Sequence, residues 1–335
     1  METGIEGGAP KKLNQPARGT LSGSGRGARL NTTVSAIGFV RESTNEPAEA
    51  AVLDLASGRV VAAGSVKDNL PMPPLGKTER IRWKSKDGLE IEGLLTCPVG
   101  YRAGTKVPLV LVIHGGPMGV FTETFIGGRG LYPIAAFAAK GYAVLRPNPR
   151  GSSGYGTEFR MANYGEWGEG DYEDILSGVD HVVSMGVADP SRMAVMGWSY
   201  GGFMTSWVVG QTDRFQVACV GAAVTNLWSF AGTADISDFL PDYFRGEPWE
   251  NFEAYRRHSP MSYVGNVKTP SLILHGAEDL RVPTSQGYEF YNALKRRGVR
   301  TKMVVYPRTP HGPREPKFLL DVARRHMSWI EPYLD

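Results

Sequence analysis

The sequence predicts an α/β protein whose mostly parallel sheet is covered by helices on both faces, and three observations carry that prediction. From residue 78 to the end, strand-like and helix-like patterns alternate. The strand-like runs are apolar throughout, as strands buried on both faces are. The residues before this stretch lack that alternation and read as a short, separate β segment.

Taken in order, residues 1–30 are rich in Gly, Ser and Arg without apolar periodicity and read as a flexible leader. Strands are expected at Val34–Val40, Ala50–Leu55 and Arg59–Ala63, with a turn at Ala56-Ser57-Gly58. The Pro-rich run Leu70–Pro74 reads as a connector, so residues 31–74 form a β segment with its linker. Residues 75–335 form the large domain. It opens with a hairpin, Glu79–Lys84 and Leu89–Thr96, around Asp87-Gly88. Buried strands follow at Val107–Ile113, Tyr142–Arg146, Met193–Gly197, Val217–Ala223, Ser271–His275 and Thr301–Tyr306. Helical spacing marks Leu131–Lys140, Tyr172–Met185, Gly201–Val209, Ser285–Arg297 and Lys317–Tyr333.

Composition narrows the function. The 335 residues are 41% hydrophobic and carry a net charge of +3, all of it attributable to Lys11, Lys12, Arg18, Arg26 and Arg29 against Glu2 and Glu6. The remainder is near neutral, which argues against nucleic acid as a partner. No apolar run reaches the length of a membrane span, and no signal-peptide pattern opens the chain. Cys97 and Cys219 are far apart and read as buried thiols. A cytoplasmic setting is expected. No metal-ligand cluster or phosphate-cradling run is present, so no metal or cofactor is expected.

The chemistry centres on Gly197-Trp198-Ser199-Tyr200-Gly201, between a buried strand and a helix. A sharp strand-to-helix turn needs small flanking residues and exposes the Ser199 hydroxyl at its apex. This is the nucleophile pattern of the α/β-hydrolase fold. A serine needs a base, and the base an orienting carboxylate, delivered in this fold from two later strand ends. The loop after Ser271–His275 holds Glu278 and Asp279; Asp279, deeper and next to apolar Leu280, is the expected acid. His311 alone lies between the last strand and the terminal helix, and is the expected base. The first central strand ends in His114-Gly115-Gly116-Pro117, where Gly116 is the expected oxyanion donor together with the N–H of Tyr200.

Four runs, His114–Pro117, Asn148–Gly156, Gly197–Gly202 and His275–Asp279, together with His311, resemble the catalytic domain of the prolyl oligopeptidase family, in its acylaminoacyl-peptidase and dipeptidyl-peptidase branch. The resemblance covers residues 75–335. It implies Ser199, Asp279 and His311 as a triad, Gly116 and Tyr200 as oxyanion donors, and Arg281 as a holder of a substrate carbonyl. It also implies an apolar side-chain pocket, to which Phe239 and Tyr243 are assigned. Relatives carry a β-propeller, whereas one blade's worth of strands precedes the domain here, so a truncated relative is expected. The expected activity is cleavage of short or N-blocked peptides. Hydrolysis of small acyl esters by the same triad is the alternative, and a non-catalytic binding module is the contrasting class. Exposed strand edges of a lone blade predict self-association.

Overall fold

The computed structural model describes residues 20–21, 28–64, 68, 72–128 and 130–335. These divide into two compact units. One holds the described residues up to Leu75 together with Thr122–Gly128, and the other holds Gly76–Phe121 and the described residues from 130 to Asp335.

The smaller unit is a five-stranded antiparallel sheet of β1 (Thr20–Leu21), β2 (Arg29–Leu30), β3 (Ala36–Ser43), β4 (Glu46–Asp54) and β5 (Val60–Ala62). Ala51 and Leu53 of β4 are buried while Val52 and Asp54, which alternate with them, are exposed, the pattern of a sheet with one wet face. The strand expected from Val34 begins at Ala36, because Val34 has φ 51° and sits in a turn. Thr20–Leu21 and Arg29–Leu30 fall within the expected leader, yet they pair with successive stretches of β3. A two-residue ladder needs only the backbone groups of an open edge, so apolar periodicity does not announce it. These two short strands occupy one edge of β3, leaving β5 at the other side of the sheet. Apart from Ala28, the remaining leader positions lie outside the described residues.

The larger unit contains an eight-stranded sheet: β6 (Thr78–Lys84), β7 (Glu90–Thr96), β8 (Val107–Ile113), β9 (Ala143–Asn148), β10 (Ala188–Trp198), β11 (Val217–Gly221), β12 (Ser271–Gly276) and β13 (Thr301–Tyr306). Their spatial order is β13-β12-β11-β10-β8-β9-β7-β6, and β7 alone runs antiparallel to its neighbours. The helices are α1 (Ile134–Ala139), α2 (Thr157–Met161), α3 (Gly170–Ser184), α4 (Tyr200–Gln211), α5 (Leu227–Ala231), α6 (Phe239–Phe244), α7 (Phe252–Arg257), α8 (Thr284–Arg296) and α9 (Pro316–Leu334). Leu109, Leu111 and Ile113 share one core with α3 and α4, while Val110 and Val112 are equally buried but outside it. Successive strand residues face opposite ways, so both faces of β8 are covered. This is an α/β-hydrolase fold.

Local physics moves several boundaries. Pro133 pushes Tyr132 out of the helical region, so α1 starts at Ile134 rather than Leu131. Ala222 takes φ 36°, which ends β11 at Gly221. Tyr200–Gly210 of α4 are all buried, so this helix has no wet face at all. From β8 the chain steps outward to β9 and then returns to the far side of β8 as β10. That reversal opens a crevice at the carboxyl ends of β8 and β10, where ligands bind in open α/β sheets.

Candidate active site

Ser199 stands in that crevice with φ 64° and ψ −124°, a conformation costing a non-glycine residue about 1–3 kcal/mol. Its neighbours make the turn possible. A Cβ on Gly197 would lie 2.2 Å from the Gly201 carbonyl oxygen, one on Gly201 would lie 2.1 Å from that of Ile113, and one on Gly202 would lie 2.2 Å from that of Gly221. Each is a backbone collision that no rotamer relieves. The Ser199 N–H donates to the Gly221 carbonyl at 2.9 Å, tying the apex to β11.

Ser199, His311 and Asp279 form one hydrogen-bonded line. Ser199 Oγ lies 2.8 Å from His311 Nε2, and His311 Nδ1 lies 2.8 Å from Asp279 Oδ2. The Asp279 side chain is buried, and its Oδ1 accepts the Val282 N–H at 2.9 Å. With the carboxylate on Nδ1, the neutral ring carries its proton there and leaves Nε2 bare toward the serine. Glu278 is exposed and its backbone N–H is bonded to Thr309, lacing the acid loop to the histidine loop. The Trp198 indole donates to the His311 carbonyl at 2.7 Å. Behind them, buried His275 lies 2.8 Å from the Val282 carbonyl through Nε2, and burial lowers its pKa.

Gly115 and Gly116 reach the crevice from the end of β8. A Cβ on Gly115 would lie 3.9 Å from Ser199 Oγ, and Gly116 has φ 131° with a Cβ position 2.2 Å from Met118 N, so the backbone here comes close to Ser199 and Gly116 must be glycine. Tyr200 is the first residue of α4, so its N–H has no acceptor within the helix. The Asn148–Gly156 run fixes this loop from behind. Asn148 Oδ1 accepts from Phe121 N at 2.7 Å and its Nδ2 donates to Phe121 O at 3.0 Å. The Ser153 hydroxyl donates to Met118 O at 2.6 Å, and Ser152 Oγ lies 2.9 Å from His114 Nε2. Burial pushes His114 down to about 4. Arg150 grips the buried Asp174 with two bonds of 2.8 and 2.9 Å, anchoring the run to α3.

A cavity of about 580 Å³ opens beside Ser199, lined by His114, Gly115, Gly116, Tyr200, Arg281 and His311. Its apolar wall includes Trp167, Tyr132, Val224, Phe230 and Phe239. Of the two aromatic residues assigned to a pocket from sequence, Phe239 is on the wall. Tyr243 is packed behind it, buried against Phe239, Tyr164 and Trp167, and does not line the cavity. Arg281 reaches the rim and donates through Nε to Asp235 at 2.7 Å, an exposed pair. Trp167, Tyr132 and Asp171 were not among the residues expected at the site. Signals for two of them exist: Pro133 disfavours helix at Tyr132, although the expected helix included it, and Gly165 and Gly168 flank the Trp167 turn. Asp171 bonds the Tyr200 hydroxyl, and burial pushes its carboxyl up to about 7. Among the described residues no His, Cys, Asp or Glu cluster is placed to hold a metal, and no helix is long and apolar enough to cross a membrane.

This chain is similar to the uncharacterized peptidase YuxL of Bacillus subtilis, 41% identical over 235 residues that are 70% of this chain and 35% of that protein. It is 38% identical over 235 residues to the acylamino-acid-releasing enzyme of Arabidopsis thaliana, covering 68% of this chain and 30% of that one. An acylaminoacyl peptidase solved in complex with Z-Gly-Gly-Phe-chloromethyl ketone superposes with a TM-score of 0.82 at 29% identity, over 92% of this chain and 49% of the other. The chain thus spans about a third of the length of these curated relatives. Residues 132–335 match the family described as the prolyl oligopeptidase family, Peptidase S9. With that match over most of its length, the chain belongs to the prolyl oligopeptidase family.

Proposed function

We propose that this protein is a serine hydrolase of acylaminoacyl-peptidase type that cleaves short or N-blocked peptides through an acyl-enzyme on Ser199. The observation that carries the reading is the line Ser199–His311–Asp279, with both contacts at 2.8 Å, beside an apolar cavity. In this mechanism Ser199 Oγ attacks the acyl carbonyl as His311 Nε2 takes its proton. The N–H groups of Gly116 and Tyr200 stabilise the oxyanion, the largest single contribution in acyl transfer. His311 returns the proton to the leaving amine, and water repeats the sequence to free the acid.

Three features support the substrate class. The cavity wall is aromatic and aliphatic, and among the described residues its lining includes no carboxylate to hold a free amine. Arg281 offers a guanidinium to a peptide carbonyl. The similar acylaminoacyl peptidase is solved with a blocked peptide ligand ending in phenylalanine. In this reading residues 75–335 are the catalytic domain and 31–74 a blade-like segment with its linker. The setting is cytoplasmic, which the unpaired Cys97 and Cys219 support.

Fluorophosphonate labelling and a substrate panel test the proposal. Labelling of the wild type that disappears in Ser199→Ala is expected, with turnover of acyl-amino-acid anilides as well as p-nitrophenyl esters. Absent labelling of folded protein refutes the hydrolase reading; turnover of esters alone replaces the peptidase by a carboxylesterase.

A further inference from the structure

Asp171 lies in the first turn of α3, behind the cavity rather than on it. Its side chain is wholly buried, and among the described residues it has three donors and no cationic partner. Oδ1 accepts the Gly168 N–H at 2.8 Å and the Tyr172 N–H at 2.9 Å, while Oδ2 accepts the Tyr200 hydroxyl. Two of these bonds lead to the cavity wall. Gly168 follows Trp167, and both Trp167 and Tyr200 line the cavity. Their rings meet edge to face at 5.1 Å. From the other side the wall is closed by Trp207, whose ring lies 2.4 Å from where a Gly168 Cβ would be.

A carboxylate buried without a cation is expensive unless donors converge on it. Here the converging donors are the ones that hold Trp167 and Tyr200 together. An amide serves them differently. With its oxygen kept on the backbone pair, an asparagine side chain would turn its NH2 to the Tyr200 oxygen, which then accepts instead of donating, so the charge-assisted bond that pins the ring gives way to a weaker neutral one of reversed direction.

We propose that Asp171 is a positioning residue: it locks the Trp167–Tyr200 wall and thereby sets which acyl side chains the enzyme accepts. The inference rests on the serine-hydrolase reading above, because the wall matters only if acyl groups occupy the cavity. A one-methylene difference in a well-fitted apolar pocket is worth roughly tenfold or more in kcat/KM, so a loosened wall blunts that discrimination.

The test measures kcat/KM for p-nitrophenyl acetate, butyrate and hexanoate with the full chain, normalised to active sites by fluorophosphonate titration. Asp171→Asn is expected to change the hexanoate-to-acetate ratio by at least about fivefold. Tyr200→Phe, which removes the same bond from the other end, shifts the ratio in the same direction. A merely structural role lowers the melting temperature and the active fraction but leaves the ratio intact, and that result overturns the assignment. If Asp171→Asn does not fold, Tyr200→Phe decides alone, because it orphans no backbone group. A wild type that turns over no ester refutes the hydrolase reading and this inference with it.

Discussion

Gly201→Ala is a one-carbon perturbation whose consequences follow from two distances. The new Cβ would lie 2.1 Å from the Ile113 carbonyl oxygen and 2.9 Å from that of His114, where ordinary contact begins at 3.4 Å. The nearer gap must therefore open by more than about 1 Å. Either α4 moves, carrying Ser199 and Tyr200, or the end of β8 retreats, carrying Gly115 and Gly116. Both routes separate Ser199 from Gly116, its proposed oxyanion donor, by about that distance. A misplacement of about 1 Å costs on the order of 100-fold in rate, and overpacking costs about 1–3 kcal/mol of stability. In a domain of this size that lowers Tm by roughly 2–12 °C. The assay is the second-order rate of fluorophosphonate labelling, read beside a thermal melt. Gly265→Ala is the control, since its Cβ would meet nothing within 4 Å. A Gly201→Ala variant with wild-type labelling rate and Tm would refute the steric account of the elbow.

Two further expectations concern charge. In Asp279→Asn, an amide that keeps the Val282 N–H satisfied turns its NH2 toward His311 Nδ1, forces the proton onto Nε2 and blocks proton transfer from Ser199. We expect kcat to fall about 10³- to 10⁴-fold with Tm nearly unchanged; a loss below about tenfold in steady-state assays would remove Asp279 from the line. Stability should fall on acidification. Burial holds His114 and His326 down to about 4, whereas unfolded histidine titrates near 6.5, so between those values the unfolded chain binds the extra protons. Each histidine then costs roughly 2 kcal/mol by about pH 4.5. Asp171, pushed up to about 7, offsets one of them as the pH falls from 7, and a net loss of roughly 2 kcal/mol remains. Urea midpoints at about pH 7 and about pH 4.5 check this, and an equal or higher midpoint at the lower pH contradicts it.

Much of this was legible in the sequence because backbone demands leave few choices. The Gly197–Gly202 pattern marks a turn whose flanks collide with backbone if they carry a side chain. The apolar runs of β8 and β10 could only be doubly buried strands. His311 was identifiable by its place after the last strand. What escaped was long-range and side-chain driven. Tyr243 and Phe239 are four residues apart on α6, and only packing decides which faces the cavity. Asp171 looks like an ordinary acid near a helix start until Tyr200, 29 residues on, is seen against it. The Asn148–Gly156 run announced a family, but its work of bracing the loop after β8 is visible only in three dimensions.

The sheet order carries a consequence for how such a protein would fail. Ser199 follows β10, near the middle of the sheet, while His311 follows β13, which among the described residues has β12 as its one partner strand. In the proposed mechanism proton transfer therefore depends on the outermost ladder, where hydrogen bonds fray at the lowest free energy. Partial opening of that margin would disarm Ser199 while the central strands stay intact, so heat would switch the chemistry off before it dissolves the fold.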